Sequence, residues 1–114
     1  MSESDCIFCK MVKGEIQADI VYENDHVLAF RDITPRAPVH VLVIPKVHIA
    51  TLADLEDPET AAQCLLAARK VAELENISES GYRTVINCKQ AGGQEVYHLH
   101  LHVLGGRDMA WPPG

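Results

Sequence analysis

The segment from Tyr97 to Leu104 constrains the fold of this chain more than any other, since it reads Tyr-His-Leu-His-Leu-His-Val-Leu. On a β-strand, successive side chains point to opposite faces, so His98, His100 and His102 share one face and the apolar residues share the other. On a helix, the same imidazoles would be scattered around the axis. The alternation therefore predicts a strand with one face on the core and three imidazoles, spread over roughly 13 Å, on the other.

Hydrophobic periodicity and turn residues predict two helices and four further strands. A short helix is expected within residues 6–16, ending near Gly14, and a long one begins after Asp57 at Pro58 and fades near Asn76. The predicted strands are Ile20–Glu23, Val27–Arg31, Val39–Ile44, Tyr82–Asn87 and Val96–Leu104. This order predicts an α+β fold, with a mainly antiparallel sheet of about five strands and the long helix against one face.

The long predicted helix presents a stripe of mostly small apolar residues at helical spacing. Its members are Ala61, Cys64, Leu65, Ala68, Val71 and Ala72. Small side chains allow a helix to pack closely on a sheet, so the stripe is expected to face the sheet.

Length and charge limit the class of protein. The 114 residues, of which 47% are hydrophobic, predict one domain over 1–114, with a non-helical tail over 108–114. The net charge of −6 argues against non-specific nucleic-acid binding, which favours a basic surface. Neither a membrane-length apolar run nor an apolar signal region follows the acidic start, so a cytoplasmic protein with reduced cysteines is expected.

Three histidines on one strand face allow three interpretations. They could form the polar face of an amphipathic strand, although Lys, Glu or Thr is more usual there. They could bind a metal, but ligands nearly in a line need further ligands from elsewhere for tetrahedral geometry. They could also support nucleophilic catalysis, because a neutral imidazole is available near pH 7 and its neighbours can orient it and stabilise developing charge.

The histidine strand resembles the His-φ-His-φ-His-φ-φ signature of the histidine triad (HIT) family, in which φ is apolar. Nearly the whole chain shares this resemblance, specifically to the Hint branch of the family. The matching segments are Phe30–Ile33, Val43–His48, Gly93–His98, Leu104–Arg107 and Trp111–Gly114. The resemblance implies a HIT-like fold, a homodimer, and hydrolysis of purine nucleoside 5′-phosphoramidates.

The resemblance assigns roles to the three histidines. It implies that His100 is the nucleophile that forms a nucleotidyl-histidine intermediate. It implies that His102 contacts the α-phosphate and that the His98 carbonyl orients the His100 ring. No metal is expected to take part in this chemistry, since His102 and loop N–H groups can meet the developing charge.

The resemblance also implies a nucleotide-binding set outside the histidine strand. Asp32, followed by Ile33, matches the acid that accepts hydrogen bonds from the ribose hydroxyls, although a loop cap before Pro35 also explains an aspartate there. Asn87, Gly93 and Gln94 match the phosphate-side loop, where glycines let backbone N–H groups approach an anion. Ile7, Phe8 and Ile16 match residues that enclose the base, whereas core packing is their simpler interpretation.

Position 95 departs from many eukaryotic relatives, which have a serine there. Glu95 would repel a phosphate unless it is protonated or turned away, so no catalytic role is assigned to its side chain. Its backbone N–H is expected to serve the phosphate instead. Bacterial-type relatives often have the same Gly-Gln-Glu-Val sequence, so this difference does not exclude activity.

The Cys6-x-x-Cys9 pair has three interpretations. A redox motif is disfavoured because no thioredoxin-like βαβ pattern surrounds it, and two isolated structural thiols remain possible. The third is a structural zinc site completed by His48 and His98, a Cys₂His₂ set that some HIT relatives contain. Zinc on His98 would anchor the segment next to His100.

The C-terminal Trp111-Pro-Pro-Gly is expected to act between subunits. In Hint proteins this tail reaches toward the partner's active site, so the resemblance implies a C2 homodimer in which Trp111 influences the partner's substrate preference. A disordered tail is the alternative.

Three other functions compete with the phosphoramidase hypothesis. A dinucleoside polyphosphate hydrolase belongs to the same family, but the Gly-Gly-Arg and Trp-Pro-Pro-Gly ending favours the Hint branch. A nucleotide-binding scaffold with incidental catalysis has the same sequence features. A purely structural zinc module leaves His100 and His102 unexplained.

Overall fold

Five antiparallel strands form one sheet in the order β1-β2-β3-β5-β4. The computed structural model describes residues 3–114. The strands are β1 (Ile20–Glu23), β2 (Val27–Arg31), β3 (Val39–Pro45), β4 (Tyr82–Val85) and β5 (Leu101–Gly105). The helices are α1 (Ile7–Val12) and α2 (Pro58–Leu74), each preceded by a short 3₁₀ turn, Glu3–Asp5 and Leu52–Asp54. The predicted α+β fold, with its five strands and two helices, is confirmed.

Both faces of the sheet are covered. On β2 and β3 the residues alternate strictly, because Val27, Ala29, Val41 and Val43 pack with α2, whereas Leu28, Phe30, Leu42 and Ile44 pack with α1. The sequence predicts a helix on one face only. The second layer explains why β2 and β3 are nearly continuous apolar runs.

The long helix begins and packs through local features that the sequence contains. The Asp57 carboxylate caps it by accepting a hydrogen bond from the Thr60 N–H (3.2 Å), and Pro58 occupies the first turn. The buried residues of α2 are Cys64, Ala67, Ala68, Val71 and Ala72. The expectation that Leu65 faces the sheet is wrong, since its exposed fraction is 59% and Ala67 is buried instead.

The histidine strand is shorter than predicted. It begins at Leu101, so residues 96–100 lie outside the ladder and only His102 of the three histidines is on β5. The pairing of β5 with β3 runs from Gly105 opposite Val39 to Leu101 opposite Val43, and the Pro45 carbonyl accepts a hydrogen bond from the His98 side chain. The Leu99 N–H donates to the Ile49 carbonyl (2.6 Å) in the loop after β3.

Three further boundaries differ from the predictions. The first helix ends at Val12, before Gly14, which has a φ of +79°. The strand β4 ends at Val85, two residues early. The strand β3 extends one residue further, to Pro45. No helix within residues 3–114 is long and apolar enough to cross a membrane.

Candidate active site

A cavity of about 810 Å³ opens on the α1 side of the sheet. Its walls are α1, residues 17–19, the end of β2 with the loop after it, β3, the histidine segment, and the loop after β4. A cavity of this volume can hold a small organic ligand. Its walls are mostly apolar with a few convergent polar groups, which is typical of ligand pockets.

The strand order arranges the polar groups of the cavity from one flank to the other. Asp32 follows β2, His40 lies on β3, and His100 and His102 lie at β5. The loop after β4 contributes Asn87, Gly93 and Glu95 to the wall. His100 therefore lies between two sides of the cavity, which are called flanks below. Asp32 forms one flank and the loop after β4 forms the other.

His100 has the features of an oriented neutral nucleophile. Its Nδ1–H donates to the His98 carbonyl (2.7 Å), which leaves Nε2 unprotonated. The ring is buried and its edge-to-face contact with Phe8 has a centroid distance of 5.3 Å. Burial lowers the pKa of His100, outweighing the His98 carbonyl and the charges of Asp32 and Glu95, which raise it. The imidazole is thus neutral at pH 7.

A second hydrogen-bonded chain, which the sequence interpretation misses, fixes the tautomer of His102. The Arg36 backbone N–H donates to His40 Nδ1 (3.0 Å), so the proton of the neutral His40 ring is on Nε2. That Nε2–H donates to His102 Nδ1 (2.9 Å), so the remaining proton of His102 is on Nε2. His102 therefore offers an N–H donor on the cavity wall.

Burial and the neighbouring imidazoles support this neutral state of the chain. Burial lowers the pKa of His40, against the charge of Asp32. Burial, His100 and His40 together lower the pKa of His102 to about 4. The only hint of His40 in the sequence is its position in the alternating Val39-His40-Val41, which places it on the same face as Leu42.

Asp32, His40 and His102 also bring three possible metal ligands within 4.8 Å of one another. Their hydrogen bonds argue against a metal there. The backbone N–H of Arg36 occupies His40 Nδ1, so a neutral His40 must keep its proton on Nε2, the atom a metal would need. The cluster is therefore a hydrogen-bonded chain.

The Asp32 carboxylate is held at its flank of the cavity. Its Oδ1 accepts a hydrogen bond from the Thr34 N–H (2.9 Å), and its Oδ2 lies 3.5 Å from His40 Nε2. Ile33 follows at the mouth of the cavity with 96% of its surface exposed. Both predicted residues thus line the cavity, where the carboxylate keeps lone pairs for hydroxyl donors.

The opposite flank is a fixed loop. Gln94 is buried and turned into the protein, where its amide accepts from the Lys89 N–H (2.8 Å) and donates to the Ala50 and Val96 carbonyls (2.8 and 3.0 Å). Gln94 is thus not part of the cavity wall, which differs from the expectation of a phosphate contact. Gly93, with φ +84°, and Asn87 do line the cavity.

The apolar wall is only partly the predicted one. Ile7 and Phe8 of α1 line the cavity, as expected from the resemblance. Ile16 is not among the lining residues, since the chain turns after α1 and Gln17 and Ala18 form that part of the wall instead. The sequence interpretation misses Met11, Phe30 and Leu42, which complete the apolar surface.

A cysteine–histidine cluster lies directly behind the cavity. Cys6, Cys9, His48 and His98 place four possible ligand atoms within 4.8 Å of one another. Cys6 Sγ is 3.3 Å from His98 Nδ1, and Cys9 Sγ is 3.3 Å from His48 Nδ1 and 3.5 Å from His98 Nδ1. The His98 Nε2–H donates to the Pro45 carbonyl (2.8 Å), so Nδ1 faces the sulfurs with its lone pair.

The donor set and its surroundings fit a zinc ion. Two thiols and two imidazoles form a four-ligand set, and a carbonyl already orients one imidazole through its other nitrogen, as metal-binding histidines require. Burial and the adjacent Cys6 thiol raise the pKa of Cys9 to about 11. A thiolate at this position therefore needs a compensating cation.

Trp111 does not line the cavity of its own chain. Its exposed fraction is 82%, and the tail around it runs beside β4, where the Arg83 guanidinium donates to the Ala110 carbonyl (2.8 Å). A role for Trp111 in a site therefore requires a second chain.

Comparisons with known proteins match most of the chain. The HIT domain family model matches residues 13–109. A purine nucleoside phosphoramidase from Escherichia coli K12 is 48% identical over 107 residues, 92% of this chain and 90% of that protein. A 14 kDa zinc-binding protein of Zea mays is 49% identical over 118 residues, which cover 100% of this chain and 91% of that protein.

A solved structure shows the same fold. The HIT family hydrolase from Legionella pneumophila Philadelphia 1 has a TM-score of 0.93 and 56% identity, with 96% of this chain and 100% of that chain covered. Since a family model matches most of the chain and close relatives match along almost all of it, the chain belongs to the HIT family and is a HIT-type nucleotide hydrolase.

Proposed function

We propose that this protein is a purine nucleoside phosphoramidase that acts through a nucleotidyl intermediate on His100. The observation that carries the proposal is the hydrogen bond from His100 Nδ1–H to the His98 carbonyl, which leaves the unprotonated Nε2 at a nucleotide-sized cavity. The 48% identity to the purine nucleoside phosphoramidase of Escherichia coli supports the substrate class.

The reaction proceeds in two displacements at phosphorus. His100 Nε2 attacks the α-phosphorus, an N–P bond forms, and the P–N bond to the leaving amine breaks as that amine takes a proton from solvent, which the water of the second step later returns. Water then attacks the same phosphorus, releases His100 and gives the nucleoside monophosphate. Two easier steps thus replace one difficult step.

The surrounding groups have distinct roles in both steps. The N–H of His102 donates to a phosphate oxygen and stabilises its developing charge, as do backbone N–H groups near Gly93. The carbonyl of His98 stabilises the positive charge that His100 acquires in the intermediate. Asp32 accepts hydrogen bonds from the ribose hydroxyls, and Ile7 and Phe8 contact the purine.

The four-ligand cluster is proposed to hold a structural zinc ion. Cys6, Cys9, His48 and His98 would hold it, and the name of the zinc-binding relative from Zea mays supports this choice. The ion would supply a cross-link between the N-terminal segment and the loop after β3, with no role in the displacement itself.

We further propose a C2 homodimer. The strand β4 is at the edge of the sheet, and the exposed fraction of both Leu65 and Leu66 on α2 is 59%. An open strand edge and exposed leucines each favour association. Trp111 would then reach the cavity of the partner.

The deciding experiment measures steady-state hydrolysis of adenosine 5′-phosphoramidate beside diadenosine tri- and tetraphosphate. Wild-type protein is expected to prefer the phosphoramidate, and His100→Ala to lose at least about 1,000-fold in kcat, because the substitution removes the unprotonated Nε2 that attacks phosphorus. AMP binding should remain within about threefold in the variant, since Asp32 and the apolar wall are intact.

Two results would contradict the proposal. Near wild-type turnover by His100→Ala would show that His100 is not the nucleophile. Preference for the dinucleotides would indicate a dinucleoside polyphosphate hydrolase instead.

A further inference from the structure

Glu95 lines the cavity, and no contact of its carboxylate with the described part of the chain stabilises the fold. Among residues 3–114 it has no hydrogen-bond or ion-pair partner, and it is exposed on the cavity wall. It lines the same cavity as His100 and is close enough for its charge to act on that ring. An ionised carboxylate beside a site for an anionic phosphate is unfavourable unless it serves recognition of another group.

The loop holds Glu95 in place. The adjacent Gln94 is 7% exposed and makes three hydrogen bonds through its amide. A Cβ on Gly92 would lie 2.5 Å from the Cys88 carbonyl oxygen, so the loop packs tightly against its own start. Glu95 therefore follows an anchored residue, and its position is defined by the loop.

The strand order places Asp32 and Glu95 on different sides of the cavity. Asp32, which binds the ribose in the proposed function, is at the β2 flank, whereas the loop after β4 is at the other flank. A nucleoside phosphoramidate bound with its ribose at Asp32 and its phosphorus at His100 directs its leaving group toward this loop.

Charges on both flanks act on His100. Burial lowers the pKa of His100, and Asp32 and Glu95 are both close enough for their charges to raise it. The side chain of Glu95 is thus within electrostatic range of the reacting atoms on the flank opposite Asp32.

We propose that Glu95 is a specificity-determining residue that selects leaving groups carrying a positive charge and rejects those carrying a negative charge. This inference rests on the proposed function. The favoured substrates are nucleoside phosphoramidates of amines with a second, protonated amino group. Phosphoramidates of amino acids with a free carboxylate, and polyphosphates, are disfavoured by the same charge.

The test uses three adenosine 5′-phosphoramidates of similar length whose leaving amines differ only in terminal charge. These are 1,4-diaminobutane, pentylamine and 4-aminobutanoate. Wild-type kcat/KM is expected to fall in that order, by on the order of tenfold from the cationic to the anionic amine, the size of two partly exposed charge contacts. Raising the salt concentration should reduce the ratio.

Two variants and a matched control isolate the charge. Glu95→Gln should bring the three values within about threefold of one another, and Glu95→Lys should reverse their order. Glu79→Gln removes one exposed carboxylate away from the cavity lining and should keep the wild-type ratio. An unchanged ratio in Glu95→Gln, or an equal effect of Glu79→Gln, would overturn the proposal.

The same three compounds are also measured by equilibrium binding to His100→Ala. This measurement separates the phosphoramidase hypothesis from the hypothesis on Glu95. Absence of turnover by the wild type would contradict the former, whereas the order of the dissociation constants still reports the selectivity set by Glu95. Equal dissociation constants together with equal kcat/KM values would overturn the role of Glu95.

Discussion

At the scale of single residues, the site depends on which nitrogen of each imidazole is protonated. The His98 carbonyl sets the tautomer of His100, and the Arg36 N–H sets that of His40 and, through it, that of His102. Each of these two series of hydrogen bonds starts at a backbone group, whose role does not depend on a titratable partner. Backbone control of this kind keeps the donor and the nucleophile distinct.

The chain through His40 predicts the effect of removing it. His40→Ala should lower kcat for adenosine 5′-phosphoramidate by roughly 10- to 100-fold with a smaller change in KM, because the His102 donor toward the phosphate is no longer fixed. His40→Gln, whose amide can donate to His102 Nδ1, should retain more activity. Thermal unfolding of both variants controls for the buried position of His40.

Tautomers of His102 can be observed directly by nitrogen NMR. The Nε2–H form should dominate in the wild type and become mixed with the Nδ1–H form in His40→Ala. A wild-type kcat in His40→Ala, or an unchanged tautomer, would contradict this role.

At the scale of elements, α1 connects the cysteine–histidine cluster with the cavity. Within this six-residue helix and its N-cap, Cys6 and Cys9 face His98, whereas Ile7, Phe8 and Met11 line the cavity. A helix this short has little stability of its own. A metal ion that holds the two thiols would therefore also fix this wall of the cavity.

This connection predicts that zinc and nucleotide binding are coupled. Replacing both thiols, Cys6→Ser with Cys9→Ser, should abolish bound zinc, lower Tm by about 8 °C and weaken AMP binding by roughly fivefold. Metal analysis, thermal unfolding and calorimetric titration with AMP measure the three effects. Cys64→Ala, which removes a thiol from the α2 core, should keep both the metal and the AMP affinity.

Reciprocity provides an internal check on the coupling. AMP should raise the affinity for zinc by the same factor by which zinc raises the affinity for AMP. Metal-free wild-type protein with unchanged Tm and AMP affinity would contradict the coupling.

The elements also show how far sequence reasoning reaches. Alternation and capping residues predict β2, β3 and α2 to within a residue or two, since those signals are local. The alternating pattern predicts a strand through His98 and His100, but the ladder ends at Leu101 opposite Val43, and the Leu99 N–H bonds to the loop after β3. The sequence does not indicate the hydrogen bond from His40 to His102 or the one from Gln94 to Ala50, because each joins residues far apart along the chain.

At the scale of the whole molecule, the C-terminal tail lies apart from the cavity of its own chain. The cavity is formed by one chain, but Trp111 is 82% exposed and lies in a tail beside the edge strand β4. An exposed tryptophan contributes most when a partner buries it. A two-fold axis near β4 would place each tail next to the other chain, and so near the leaving-group flank.

The proposed dimer predicts that Trp111 acts across subunits. Removal of residues 108–114, or Trp111→Ala, should change the relative kcat/KM among leaving amines more than it changes Tm, because the tail is almost entirely exposed. Mixed dimers of Trp111→Ala and His100→Ala subunits then identify the source of the effect. In such a dimer the only active His100 belongs to the Trp111→Ala chain, so an intact tryptophan can reach it only from the partner. Restored wild-type selectivity in the mixed dimer establishes action in trans, whereas retention of the Trp111→Ala selectivity, or a monomer by light scattering, would exclude it.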